Sequence, residues 1–79
     1  MRIAVEMPNL GHDIEIGKIV AWLKNIGDTV ARGDVLAEVE TEKVTTEVES
    51  FDSGVLVEIV QDVGTEVGIG EVIAYLENE

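Results

Sequence analysis

The 79-residue sequence predicts an all-β fold, a two-sheet sandwich built from two similar half-domains of about four short strands each. Three observations carry that prediction. No stretch places apolar residues at helical spacing, whereas short β-branched runs are cut repeatedly by Gly, Asp and Asn. The chain repeats itself: residues 17–40 laid over residues 54–77 without a gap share Gly17/Gly54, Val20/Val57, Gly27/Gly64, Val30/Val67, Gly33/Gly70, Val35/Val72, Ala37/Ala74 and Glu40/Glu77. Six further pairs, such as Ile19/Leu56, Trp22/Ile59 and Val39/Leu76, are apolar for apolar. Half a chain of this size cannot bury its own apolar face, so the halves are expected to face each other about a pseudo-two-fold.

The elements follow in order. Ile3, Val5 and Met7 alternate with Ala4 and Glu6 as a strand, which Pro8 and Asn9 stop because proline cannot extend a ladder. A loop covers Leu10 to Ile16, and Gly17 opens a second strand reaching Leu23. Asn25-Ile26-Gly27-Asp28 and Ala31-Arg32-Gly33-Asp34 have turn chemistry around the short piece Thr29-Val30. Strands run from Val35 to Thr41 and from Val44 to Glu49. Phe51 to Gly54 turns the chain into a strand over Val55–Val60. Glu66-Val67 is a short piece, and Val72–Leu76 is the last strand. The first strand repeats less clearly, with Ile3, Glu6 and Met7 matching Val44, Glu47 and Val48 at an offset of 41, which makes the loop before Gly17 four residues longer than its counterpart. The shared glycines are read as fixing turns rather than packing.

Composition narrows the function. The length fits one domain, residues 1–79. There is no cysteine, which removes disulfides, cysteine-based zinc sites and a cysteine nucleophile, and the single His12 cannot build a histidine-rich metal site. A net charge of −12 disfavours nucleic acid and anionic membrane as partners and favours proteins with basic surfaces. No apolar run approaches the ~20 residues of a membrane span, and an acid at Glu6 interrupts any signal-peptide pattern. These features point to an intracellular protein.

One lysine stands apart. Lys43 lies between the strand patterns Val35–Val39 and Val44–Val48, in Glu40-Thr41-Glu42-Lys43-Val44. The apolar parity changes across it, odd at Val35, Ala37 and Val39 and even at Val44 and Val48, as a turn requires. Lys43 is therefore expected exposed at a hairpin tip. The repeat maps it to position 80, one past the last residue, so the lysine turn and the C-terminus are expected at opposite ends of the body. A Schiff-base lysine needs desolvation or a neighbouring cation, but the neighbours here are Glu40, Glu42 and Glu47. Covalent modification by another enzyme requires only presentation in a defined shape. A solvated, unmodified tip is the alternative.

The order and spacing of these pieces carry a resemblance. Met7-Pro8-Asn9-Leu10-Gly11, Gly17 to Lys24, Gly27-Asp28-Thr29-Val30, Gly33-Asp34-Val35-Leu36, Glu38 to Val44, Gly54-Val55-Leu56 and Gly64 resemble a lipoyl domain of the dihydrolipoyl acyltransferase component of 2-oxo acid dehydrogenase complexes, within the biotinyl/lipoyl-attachment family. The likeness covers essentially the whole chain. It implies a flattened barrel of two four-stranded antiparallel sheets with quasi-two-fold symmetry. It implies a lipoyl group in amide linkage on Lys43, with Glu42 and Val44 as flanking residues read by a lipoate ligase or lipoyl transferase. The carrier would take an acyl group from a thiamine-dependent 2-oxo acid decarboxylase, pass it to coenzyme A at the acyltransferase core, and be reoxidised by a flavin-dependent dihydrolipoyl dehydrogenase. Lysine plus lipoyl is about eleven bonds, a reach of roughly 14 Å. The domain itself would have no catalytic site, and would work in the cytoplasm or the mitochondrial matrix.

The resemblance also implies that the loop Leu10, Gly11, His12, Asp13, Ile14, Glu15 and Ile16 lies near the lysine turn and helps the decarboxylase choose its carrier. The family usually has Glu directly before the glycine that opens the second strand; this chain has Ile16 there and Glu15 one place earlier. His12 is read as a surface loop residue and Trp22 as core. Two alternatives share the architecture. A biotin carboxyl-carrier domain has Met on both sides of its lysine, where this chain has Glu42 and Val44. An unmodified barrel-sandwich interaction module commonly interrupts this region with a helical insert, which the chain lacks. Pyruvate, 2-oxoglutarate, branched-chain and acetoin systems all use such carriers, and the resemblance does not separate them.

Overall fold

A computed structural model describes residues 1–78. Eight strands are found: β1 (Arg2–Glu6), β2 (Ile16–Trp22), β3 (Thr29–Val30), β4 (Val35–Glu40), β5 (Thr45–Glu49), β6 (Gly54–Ile59), β7 (Glu66–Gly68) and β8 (Val72–Glu77). They form two four-stranded sheets, β1-β8-β6-β3 and β5-β4-β2-β7, with every pairing antiparallel. No helix occurs among the described residues, so none is long and apolar enough to cross a membrane.

The repeat is visible in the topology. Replacing β1, β2, β3 and β4 by β5, β6, β7 and β8 turns one strand order into the other. The registers agree residue by residue. Lys18 faces Glu40 and Ile19 faces Val39 across β2–β4, while their counterparts 37 residues on, Val55 and Leu56, face Glu77 and Leu76 across β6–β8. Both ladders slip at the same place, between Ile19 and Ala21 and between Leu56 and Glu58. Even the bonds that extend the β3–β6 and β2–β7 ladders into the preceding turns are duplicated. Gly27 N–H donates to Leu56 O at 2.7 Å and Gly64 N–H donates to Ile19 O at 2.7 Å.

The first strand corrects one expectation. Arg2 pairs with Glu77 and Thr45 with Glu40, so β1 and β5 are related by an offset of 43 and not 41. Between matched repeat positions the β1–β2 connection is thus six residues longer than the β5–β6 one (43 − 37 = 6), and five longer by the strand bounds, because β2 starts one residue before Gly17, the mate of Gly54. The Val-rich text favoured a false register because Ile3, Glu6 and Met7 all found chemical matches two places too early. Strand ends shift by a residue or so elsewhere, most usefully at Ile16. It is the first residue of β2, paired with Gly68 of β7, and not the last residue of a loop.

The core lies between the sheets, and the repeat builds most of it. Ile19/Leu56, Val30/Val67, Leu36/Ile73, Ala37/Ala74 and Val39/Leu76 are all buried. Met7 and Val48 complete the buried apolar set. Trp22 is half-buried against this core and its indole N–H donates to Gln61 O at 2.9 Å. The glycine pairs divide. Gly27 and Gly64 sit at φ +97° and +93°, a backbone that side chains resist, as turn glycines should. Gly17 and Gly54 lie in strands and serve packing. A Cβ on Gly17 would lie 2.3 Å from Val39 Cγ1, and one on Gly54 2.6 Å from Glu77 O.

Candidate lysine attachment site

The site is the connection from β4 to β5. The last ladder pair is Glu40 with Thr45, leaving residues 41–44 to reverse the chain. Thr41 closes this turn. Its N–H donates to Val44 O at 2.8 Å and its hydroxyl donates to the same oxygen at 2.9 Å. The hydroxyl oxygen also accepts the N–H groups of Lys43 at 3.3 Å and Val44 at 3.1 Å. Thr41 is 8% exposed, whereas Glu42, Lys43 and Val44 are all exposed. Among the described residues no carboxylate lies within ion-pair distance of Lys43. The parity argument holds for Val48, which is buried, but Val44 belongs to the turn and is exposed.

The β1–β2 connection reaches this turn in part. Asp13, Ile14, Glu15 and Ile16 line an open groove of about 460 Å³ together with Thr41 and Glu42. Lys18, Glu40 and Glu66 complete its wall, so five carboxylates face one ammonium there. Leu10, Gly11 and His12 do not line this groove. Leu10 is half-buried against the core, and Gly11 and His12 border a second depression beside Gly68 and Ile69. His12 is fully solvated, its ring 3.5 Å from the Asp13 carboxylate. Bonds within the connection and to the other half hold it: Asn9 Oδ1 accepts Gly11 N–H at 3.0 Å, and Glu15 O accepts Ile69 N–H at 3.0 Å. Ile16, where the resembled pattern has an acid, is 56% exposed.

Sequence reasoning passed over Thr41. The available signal was weak, a threonine opening a four-residue connection, where hydroxyls cap their own turns.

A lysine held out from a turn between two paired strands, on a two-sheet body with internal two-fold symmetry, is the arrangement that a carrier domain for a covalently attached group requires. The chain belongs to the biotin/lipoyl-attachment family, whose model, described as "Biotin-requiring enzyme", matches residues 3–76. It is 48% identical over 71 residues to a dihydrolipoyllysine-residue acetyltransferase component of the pyruvate dehydrogenase complex, mitochondrial, from Arabidopsis thaliana, covering 89% of this chain and 13% of that protein. The chain thus spans about an eighth of that relative's length. Among solved structures it is similar to the lipoyl domain of the 2-oxoglutarate dehydrogenase complex from Azotobacter vinelandii, with TM-score 0.74, 33% identity and 96% coverage of both chains. A Kluyveromyces lactis urea carboxylase matches at TM-score 0.81 but 21% identity, over 98% of this chain and 6% of that one, which shows the fold alone. The lipoyl-carrier reading fits these likenesses better than the biotin alternative.

Proposed function

We propose that the chain, residues 1–79, is one carrier domain whose Lys43 bears a lipoyl group in amide linkage, serving a 2-oxo acid dehydrogenase complex. The observation that carries this reading is Lys43 itself: exposed, without an ion-pair partner among the described residues, at the tip of a turn whose backbone Thr41 holds. The fit is chemical as well as geometric. Amide formation needs a lysine amine that another enzyme can reach and grip, and Lys43 offers it between Glu42 and Val44, both exposed. When bound, the lipoyl group supplies a disulfide that carries acyl groups and electrons.

The chain's own residues present and identify. The β4–β5 ladder fixes the base of the arm on a rigid element. Glu42 and Val44 flank the lysine for a lipoate ligase or lipoyl transferase to read. The loop from Leu10 to Ile16, next to the acidic groove, is proposed to identify the carrier to a thiamine-dependent decarboxylase. The acyltransferase core and a flavin-dependent dihydrolipoyl dehydrogenase are the other proposed partners, met in the cytoplasm or mitochondrial matrix. No catalytic site is assigned to the domain.

Co-expression of the 79-residue chain with a lipoate ligase tests the reading by intact mass and by the mass of the Lys43 peptide. One lipoyl increment on Lys43, absent from Lys43→Gln at unchanged melting temperature, is expected. No increment, or one that survives the substitution, refutes it.

A further inference from the structure

The turn that carries Lys43 has a counterpart elsewhere in the repeat, and the comparison isolates what this turn adds. One backbone bond is common to both. Thr41 N–H donates to Val44 O at 2.8 Å, and Asn78 N–H donates to Met1 O at 2.8 Å, where β8 and β1 end side by side. Thr41 and Asn78 are 37 residues apart, Met1 and Val44 are 43 apart, and these are the offsets of their strands. There the likeness stops. Asn78 sends its side-chain amide away, to Ser53 O at 2.7 Å. Thr41 turns its hydroxyl into its own turn, donating to Val44 O and accepting from Lys43 and Val44. This uses the one donor and both acceptor positions of a hydroxyl. Burial of Thr41 excludes the water that would compete for them. The backbone N–H of the exposed lysine is therefore held by a buried side chain two residues earlier.

We infer that Thr41 is the positioning residue that sets how Lys43 is presented to the enzyme that modifies it, an inference that rests on Lys43 being the attachment lysine. Thr41 touches no reacting atom and acts through the backbone at residues 43 and 44. An enzyme that recognises the lysine by the shape of its turn binds the fraction of molecules in which that turn is closed, so its apparent affinity falls with that fraction. Without the hydroxyl the turn opens part of the time. The loss appears in KM, while the reaction of a correctly bound lysine, read by kcat, stays as it was.

The test is steady-state lipoylation of the full 79-residue chain by a lipoate ligase, followed by intact mass. Wild type, Thr41→Ser and Thr41→Val are compared at a temperature where circular dichroism shows each folded. Thr41→Val is expected to raise KM for the domain about tenfold with kcat within about twofold, and Thr41→Ser to stay within about twofold in both. Wild-type KM in folded Thr41→Val overturns the inference. So does Thr41→Ser impaired as badly as Thr41→Val, or a loss confined to kcat. Should Thr41→Val not fold, amide exchange in the wild type decides. The Lys43 and Val44 amides are expected to exchange at least about tenfold more slowly than free-peptide rates, and unprotected amides overturn the inference. A wild type that gains no mass on Lys43 refutes the underlying reading. A wild type and Thr41→Val modified with equal KM refute only the role of Thr41.

Discussion

Gly17→Ala tests whether the domain closes as tightly beneath its lysine turn as the structure shows. The new methyl would lie 2.3 Å from Val39 Cγ1 and 2.7 Å from Leu10 Cδ1. The Leu10 contact is with the free end of a half-buried side chain that can rotate away. Val39 is different, fully buried and β-branched on β4, two residues before Thr41. Overpacking of this kind costs about 1–3 kcal/mol. The lower chain entropy of alanine in the unfolded state returns less than about 1 kcal/mol. A net loss of about 2 kcal/mol lowers the melting temperature of a domain this size by about 8–16 °C. Val39→Ala alone removes two buried methyl groups and leaves a cavity, at about 2–3 kcal/mol. If the effects added, the double variant would lose about 4–5 kcal/mol, a third or more of the roughly 4–12 kcal/mol expected of a domain this size. They are not expected to add. The Gly17 methyl would stand 3.8 Å from Val39 Cβ, an ordinary contact once Cγ1 is gone. Gly17→Ala/Val39→Ala should therefore be no less stable than Val39→Ala, a coupling of about 2 kcal/mol. Urea unfolding of the four chains, with the slope m checked for constancy, gives the cycle. Additive losses would refute the packing account of Gly17.

Two more outcomes follow from the turns. Asp34 accepts Ala31 N–H at 2.9 Å and lies 3.5 Å from Lys24 Nζ, and these hold its carboxyl below the ordinary value of 3.8, the Ala31 bond most strongly. A folded-state pKa below the unfolded one means that this group's stability is complete above about pH 3.8 and is lost as pH falls through the lower folded value. Melting of the wild type should thus decline more steeply between about pH 4 and pH 2 than that of Asp34→Asn, and parallel declines would remove Asp34 from the account. Gly27→Ala and Gly64→Ala place a methyl in open space at φ +97° and +93°, so each should cost about 1–2 kcal/mol from backbone strain alone and the two costs should match within about 0.5 kcal/mol. A large difference in their melting temperatures would show that the two-fold does not extend to these turns.

Much of this was legible because repeats and turns leave local marks. Gapless matches from Gly17 to Glu40 identified both half-domains, and the two strand orders reproduce them. Lys43 was legible as a turn lysine because apolar patterns end on both sides of it. What failed depended on partners distant in sequence. The register of β1 is set by pairing with β8, 70 residues away, and chemical likeness to β5 cannot reveal it. Gly17 and Gly54 resemble turn glycines in the text, yet each is required because another strand passes too close for a Cβ. Thr41 looked like one more polar residue before a lysine. Its importance lies in a side-chain rotamer that turns inward to its own turn, and neither propensity nor periodicity encodes that.

The symmetry itself explains where the site sits. Two features depart from the two-fold: the six extra residues between β1 and β2, and a covalent turn between β4 and β5 where the other half has only the ends of β8 and β1. Everything between them is shared scaffold, with ten of the twelve buried apolar residues supplied as repeat mates. The departures do not lie apart. Pairing of Lys18 with Glu40 brings the start of β2 beside the end of β4, so the tail of the insertion, Asp13 to Ile16, shares a groove with Thr41 and Glu42. A chain that duplicates a half-domain obtains its core twice over and gains no site from doing so, because each half presents the same faces. Chemistry that needs one arm and one means of telling carriers apart must come from positions the duplication does not constrain. In this chain those positions are the connections 7–15 and 41–44, to which the proposed function assigns recognition and the arm, and the β2–β4 ladder holds Asp13 to Ile16 beside Thr41 and Glu42.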